Sequence, residues 1–286
     1  MTMRLETARP WRGRVARRKA ANFVVNTLIA LFALFPILWG LSSSLKPADE
    51  IVAYPPKLVP TTFTLEHYIR IFHEQAGQYI FNSALVTVSA IVLSLAAGAL
   101  GGYALARFTF AGRGAAMVFV VGVMSIPIAS LLVPTFSTLS VLNLLDTRTG
   151  LVLLYTAYQL PIVIWTLYGY FLALPVELEH AARIDGYSAP RVLWKIVLPL
   201  SKPGLVAAAL FVAVFSWNDF VVAVTMTSSA EVRTLPVGIY DYLGFYGREW
   251  GPLLAAAIVS IIPIVAIFMF LQRYFVSGLT GGGVKG

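Results

Sequence analysis

Six long apolar runs, separated by short polar segments, dominate the chain. They lie near 22–42, 79–106, 115–138, 150–173, 204–227 and 252–270. No charge falls between Lys19 and Lys46 or between Glu74 and Arg107, and the fifth run holds a single acid, Asp219. A helix needs about 20 mostly apolar residues to cross about 30 Å of hydrocarbon. A barrel strand needs only about 9–11 residues, with alternating polarity. The pattern predicts an all-α integral membrane protein with six transmembrane helices. Basic residues precede the first run, but at about 20 residues it exceeds the roughly 7–15 of a signal-peptide core. It reads as an uncleaved anchor.

The polar segments add three expectations. In 43–78, Pro55, Pro56 and Pro60 predict an extended start and 64–73 a short interfacial helix. The chain divides into a basic segment 1–21, a six-helix domain 22–274 that includes a polar loop 176–202, and a tail 275–286. The closing "GGGVKG" predicts a flexible end.

Composition supports the membrane assignment. Of 286 residues, 58% are hydrophobic and 12% charged, against about 25% charged in soluble domains. The net charge of +8 is an asymmetry between the two sides. With the N-terminus inside, 15 of 21 basic residues fall on that side, and eight of 13 acids fall on the other. Basic residues gather on the cytoplasmic side of membrane proteins, so both termini are expected there. No basic soluble domain exists to carry nucleic acid. The absence of cysteine excludes disulfides, thiol nucleophiles and Cys-ligated metals. Three histidines (His67, His73, His180) form no metal motif. No phosphate-binding G-x-x-x-x-G-K-[ST] loop and no G-x-S-x-G element occurs. The chain is expected to be non-catalytic, with no metal and no cofactor of its own.

Ionisable residues are nearly absent from the runs, so a proton relay or voltage sensor is not expected. Asp219 lies about 24 Å along the fifth helix. It is either a wetted carboxylate near the helix end or part of a translocation path. Trp217 and Asn218 suit either reading. The amides of Asn82, Gln159 and Asn218 either meet a hydroxyl-rich solute or join helices. The absence of basic residues in the runs argues against a phosphorylated solute. Pro36, Pro127, Pro134, Pro161 and Pro263 each permit a kink. Gly98, Gly101 and Gly102 predict a close helix contact for the second run.

The segment "VELEHAARIDGYSAPRVLWKIVLPL", 176–200, is different. Glu177 and Glu179 suit a helix N-terminus. Leu178, Ala181 and Ala182 share a small apolar face, which Asp185 ends. Gly186 is a helix stop and Ser188 an N-cap for a second helix. Leu193, Ile196 and Val197 form a stripe, and Pro199 is expected to end it. A small, mixed-charge face favours a protein groove over lipid headgroups, which select bulkier apolar residues with many Lys or Arg.

The same segment resembles the EAA signature of permease subunits of bacterial ATP-binding-cassette importers. Ala181 and Ala182 match its A-A, Asp185 and Gly186 its D-G, Ile196 its I, and Leu198 and Pro199 its L-P. "SLKP", "NSALVT", "GYALARFTFAGR", "LLDTRTGLVL", "FSWNDF" and "GLTGGGVKG" resemble maltose-permease-like subunits. The resemblance spans about residues 25–286. It implies the type I ABC importer transmembrane fold with cytoplasmic coupling helices in a bacterial inner membrane, and sugar (di- or oligosaccharide) uptake. It also implies a second permease subunit forming a heterodimer, two ATPase subunits holding ATP and Mg, and an extracytoplasmic solute-binding protein. Glu177, Glu179, His180, Ala181, Ala182, Asp185, Gly186, Ile196, Leu198 and Pro199 are then the expected contact with the ATPase, with span five passing on its motion. In one departure, His180 stands where the family has glutamate. Glu179 is rotated about 100° away on a helix. The competing reading is an ATP-independent secondary carrier or channel.

Overall fold

The computed structural model describes residues 10–244 and 249–281. The "GGGVKG" tail beyond Gly281 and the first nine residues lie outside these. Among the described residues the fold is helical, with no strand. α1 (Pro10–Ser44) is the first span, and its lipid-facing residues are largely exposed, Phe32 at 84%. α2 (Ala48–Ile51) and α3 (Glu66–His73) follow an irregular stretch through the three prolines. α3 is the expected short helix; it turns His67 and Ile71 inward and leaves Leu65, Ile69 and Phe72 exposed. α4 (Ala76–Arg107) and α7 (Arg148–Ala173) are long single spans. α14 (Trp250–Gly281) is the last. α1, α7 and α14 continue through Pro36, Pro161 and Pro263.

Two runs depart from a straight span. The third, expected as one helix over 115–138, is α5 (Arg113–Met124) and α6 (Ile128–Val141), meeting at 101°. Pro127 has no N–H, and its ring drives the preceding residue out of helical geometry. Pro127 itself is extended, at φ −62° and ψ 129°. The fifth run, expected over 204–227, is one continuous helix only to Asn218. α11 (Lys202–Asn218) gives way at Asp219 to the short α12 (Val221–Met226). Between α7 and α11 lie α8 (Val176–Ile184), α9 (Ala189–Val192), a π-helical turn (Leu193–Val197) and α10 (Leu198–Leu200). α13 (Leu235–Tyr240) precedes α14.

The core is the parallel pair α4 and α7. Lipid tails are as apolar as leucine, so helices in a membrane are held by close packing. Here glycines allow it. A Cβ on Gly102 would sit 3.1 Å from the Tyr168 nitrogen and 3.2 Å from the Ile164 carbonyl. Gly98 meets Val163, and Gly101 meets Ile164. Val163, Leu167 and Phe171 on the α7 side are fully buried. α11 runs back across both helices, with Gly204 pressed on the Tyr170 ring. α14 covers α11 and carries α1 against Leu254 and Ile258.

Gly102→Leu is expected to destabilise the protein by about 1–3 kcal/mol through overpacking against backbone. Gly169→Ala, which meets nothing within 4 Å, is expected to stay within about 0.5 kcal/mol. Thermal unfolding in detergent compares the two; equal losses would contradict the assigned packing.

Candidate functional site

The polar block between α7 and α11 is built from local signals. Pro175 takes an extended conformation just before α8, and Glu177 and Glu179 lie in the first turn. α8 ends where Gly186 adopts φ +83°, a left-handed conformation that suits a residue without a Cβ. The Gly186 N–H donates to Arg183 O and the Tyr187 N–H to Ala182 O, each at 3.0 Å. This is the paired C-terminal cap of a Schellman motif. Ser188 occupies the expected N-cap position, but its hydroxyl makes no capping bond; its carbonyl accepts from Val192 N at 2.9 Å.

Pro199 does not end the second helix. The π-helical turn, with Leu198 N–H donating to Leu193 O, absorbs one extra residue just before it. That slack accommodates a residue with no N–H and a ring that crowds the preceding turn. The change of direction comes two residues later, at Ser201, where α9–α10 and α11 meet at 82°. The Ser201 hydroxyl is buried there without a partner.

One ion pair fixes the block. Arg107, the last residue of α4, donates from Nε to Glu179 Oε1 at 2.6 Å and from Nη2 to Leu174 O at 3.0 Å. Tyr103 OH donates to Glu179 Oε2 at 2.8 Å. The Arg107 and Glu179 side chains are 6% and 2% exposed. Both carboxylate oxygens are therefore satisfied. With Glu179 and Ala182 turned inward, Glu177, His180, Ala181 and Ile184 are left exposed. Their i, i+3, i+4, i+7 spacing makes them one helix face. The two alanines expected on one face are thus divided, because the buried Glu179 sets the rotation of α8. Asp185, Gly186 and Pro199 are exposed, Ile196 half-buried and Leu198 buried.

The opposite end of α4 is also polar. Asn82 is fully buried. Its amide donates to Glu231 O and Arg233 O at 2.9 and 2.8 Å, and its oxygen accepts from Arg148 Nε and Gln78 Nε2. Asp146 Oδ1 accepts the Ser228 and Ser229 N–H groups at 2.9 and 3.0 Å. These bonds hold the loop 227–234 against α4 and α7.

Comparison with known proteins now bears on this geometry. Residues 90–281 match the family of binding-protein-dependent transport system inner membrane components. The chain belongs to that family. It is 37% identical to the trehalose transport system permease protein SugB of Mycobacterium tuberculosis, covering 95% of this chain and 99% of that one. It is 36% identical to the sulfoquinovosyl glycerol transport system permease protein SmoH of Agrobacterium fabrum, over 94% of each. The arabinooligosaccharides transport system permease protein AraQ of Halalkalibacterium halodurans is 39% identical, over 90% of this chain and 93% of that one. The fold matches a bacterial ABC transporter involved in import of the acidic polysaccharide alginate, with a TM-score of 0.79 and 24% identity, over 96% of this chain and all of that one.

The residues expected to line a path have different surroundings in this permease. Asn82 is a joint between helices and a loop, with all four of its bonds made inside the protein. Trp217 is buried and donates from Nε1 to Ser260 O at 3.0 Å, joining α11 to α14. Asn218 is exposed and bonds Val214 O in its own helix. Asp219 is half-buried. It accepts Tyr155 OH at 2.8 Å and the Ala223 N–H at 3.0 Å, capping α12 where the fifth span breaks. Gln159 lines a cavity of about 600 Å³ beside the α5–α6 bend with Tyr158, Ile128, Met124 and Phe215. Arg107, Tyr103, Arg148 and Asp146 were absent from the sequence-based expectations. Their partners lie 66–83 residues away, and nothing local announces them.

Partial burial of Asp146 works against its charge, but the Ser228 and Ser229 amides outweigh it and hold its pKa below the ordinary value. A depressed carboxylate stabilises the fold fully above its unfolded pKa, about 3.9. That contribution is lost as pH falls through the lower folded value. Hydrogen exchange at Ser228 and Ser229, corrected for intrinsic rate, is expected to accelerate only below about pH 3.9, and in Asp146→Ala already at neutral pH. Equal protection in Asp146→Ala would remove this role.

Proposed function

We propose that the chain is one permease subunit of an ATP-binding-cassette importer for a sugar, a di- or oligosaccharide, and that the 176–200 block docks on a separate ATPase. The observation that carries the docking is the exposed face of Glu177, His180, Ala181 and Ile184 on a helix held by a buried ion pair. Ile184, 86% exposed, and Trp194, 60% exposed, put apolar surface on the same side of the membrane domain as the block. A rigid helix with a small, partly apolar face suits a groove on a protein partner. In this reading Glu179, Ala182 and Leu198 shape the block from within, while His180 stands in the contact where a glutamate was expected.

Membership of the family supports the following reading of the rest of the assembly. The solute path lies between this subunit and a second permease subunit, with the cavity at Gln159 and Tyr158 on this chain's side of it. An extracytoplasmic solute-binding protein delivers the sugar, as the alginate importer, solved with a pentasaccharide-bound periplasmic protein, exemplifies for its own substrate. ATP and Mg belong to the two ATPase subunits. The family description supports a bacterial inner-membrane location, and the charge asymmetry supports both termini being cytoplasmic.

Because the chain contains no cysteine, Ala181→Cys offers a single reactive site. It is expected to cross-link to the co-purified ATPase with a yield that changes when ATP is added. Ile184→Glu is expected to cut ATPase recovery at least about tenfold, as for a truncated hot spot of 1.4 kcal/mol or more. Sugar uptake by the isolated chain in vesicles without nucleotide would overturn the reading in favour of an autonomous carrier.

A further inference from the structure

Beyond the apolar packing of Ala182, Val192, Leu193, Val197 and Leu198 on the core, the block is joined to the membrane helices in three places, and they differ in stiffness. At its start, α7 runs into it through Leu174 and Pro175. At Glu179, Arg107 and Tyr103 of α4 grip it with a buried ion pair and one further hydrogen bond, and Arg107 also bonds the Leu174 carbonyl where α7 ends. At its end, the chain turns 82° at Ser201, whose buried hydroxyl has no partner. A broken helix transmits little along its axis. A buried charge pair with both oxygens satisfied resists separation, because parting it strands a charge out of water.

We infer that Arg107 and Tyr103 are positioning residues for transport: through Glu179 they make the docking block and α4 one lever, so that ATPase motion enters the membrane along span two and not along span five. α4 suits the role at its other end too. Asn82 lies about 37 Å along the same helix, where it holds the Glu231 and Arg233 carbonyls and the Arg148 side chain. One continuous helix thus connects the ATPase-facing block to the loop on the opposite membrane face. The glycine contacts with α7 keep the two parallel helices moving together.

This inference rests on the docking reading above, and the test separates the two. The complete transporter in lipid vesicles is assayed for ATP hydrolysed per sugar imported. Glu179→Gln, Arg107→Gln and the milder Tyr103→Phe are each compared with Ser201→Gly. The latch variants are expected to raise the ratio, by about fivefold or more for the two that remove a charge. Ser201→Gly is expected to leave it near the wild-type value. The exchange Arg107→Glu with Glu179→Arg is expected to lower the ratio again relative to either single change. A bridge that serves stability alone would lower uptake and hydrolysis in proportion and leave the ratio constant; that result overturns the inference. So does a raised ratio in Ser201→Gly with normal ratios in the latch variants, including Tyr103→Phe, which keeps the ion pair and the fold. Absence of an Ala181→Cys cross-link in the otherwise unaltered transporter sinks the docking reading itself, a separate outcome.

Discussion

The close contact of α4 with α7 is the constraint on which the other features rest. Within lipid, burying apolar side chains gains little, and association depends on how closely two backbones approach. Gly98, Gly101 and Gly102 let α7 come within backbone contact over about a turn. Because the two helices are parallel, their ends coincide. At one end Arg107 reaches Leu174 and Glu179; at the other Asn82 reaches Arg148. Larger residues at the glycines would separate both sets of partners together.

The polar groups of this permease divide by what surrounds them. A carboxylate or amide buried in the membrane domain needs partners for each of its atoms. Glu179, Asn82 and Asp219 all find theirs inside the chain. They act as joints, each holding a loop or a helix break to a continuous span. Around these joints the Glu177, His180, Ala181 and Ile184 face stays exposed, and the largely buried Gln159 borders a cavity. The buried Glu179 pair thereby sets which face of α8 is exposed.

The spans break for two different reasons. Pro36, Pro161 and Pro263 sit in helices that continue, whereas Pro127 takes an extended conformation between α5 and α6. α5 itself buries no residue within the chain. The break at Asp219 has a different origin. There a side chain caps the next helix, and Tyr155 fixes that cap from α7.

Much was legible from local sequence. Six apolar runs of spanning length, the glycine-rich face of the second, and the helix–glycine–helix block at 176–200 each follow from periodicity or turn chemistry within a few residues. The EAA-like spacing then identified the family from one segment. The tertiary structure alone decided which side of each helix mattered. Ala181 and Ala182 are neighbours with the same chemistry, and only the pull of Arg107 on Glu179 turns one outward and one inward. Likewise, Asn82 is an ordinary amide in sequence and a fully bonded joint in the fold. The physical reason is that a buried polar group is defined by its partners, and these partners lie from 64 to 151 residues away along the chain.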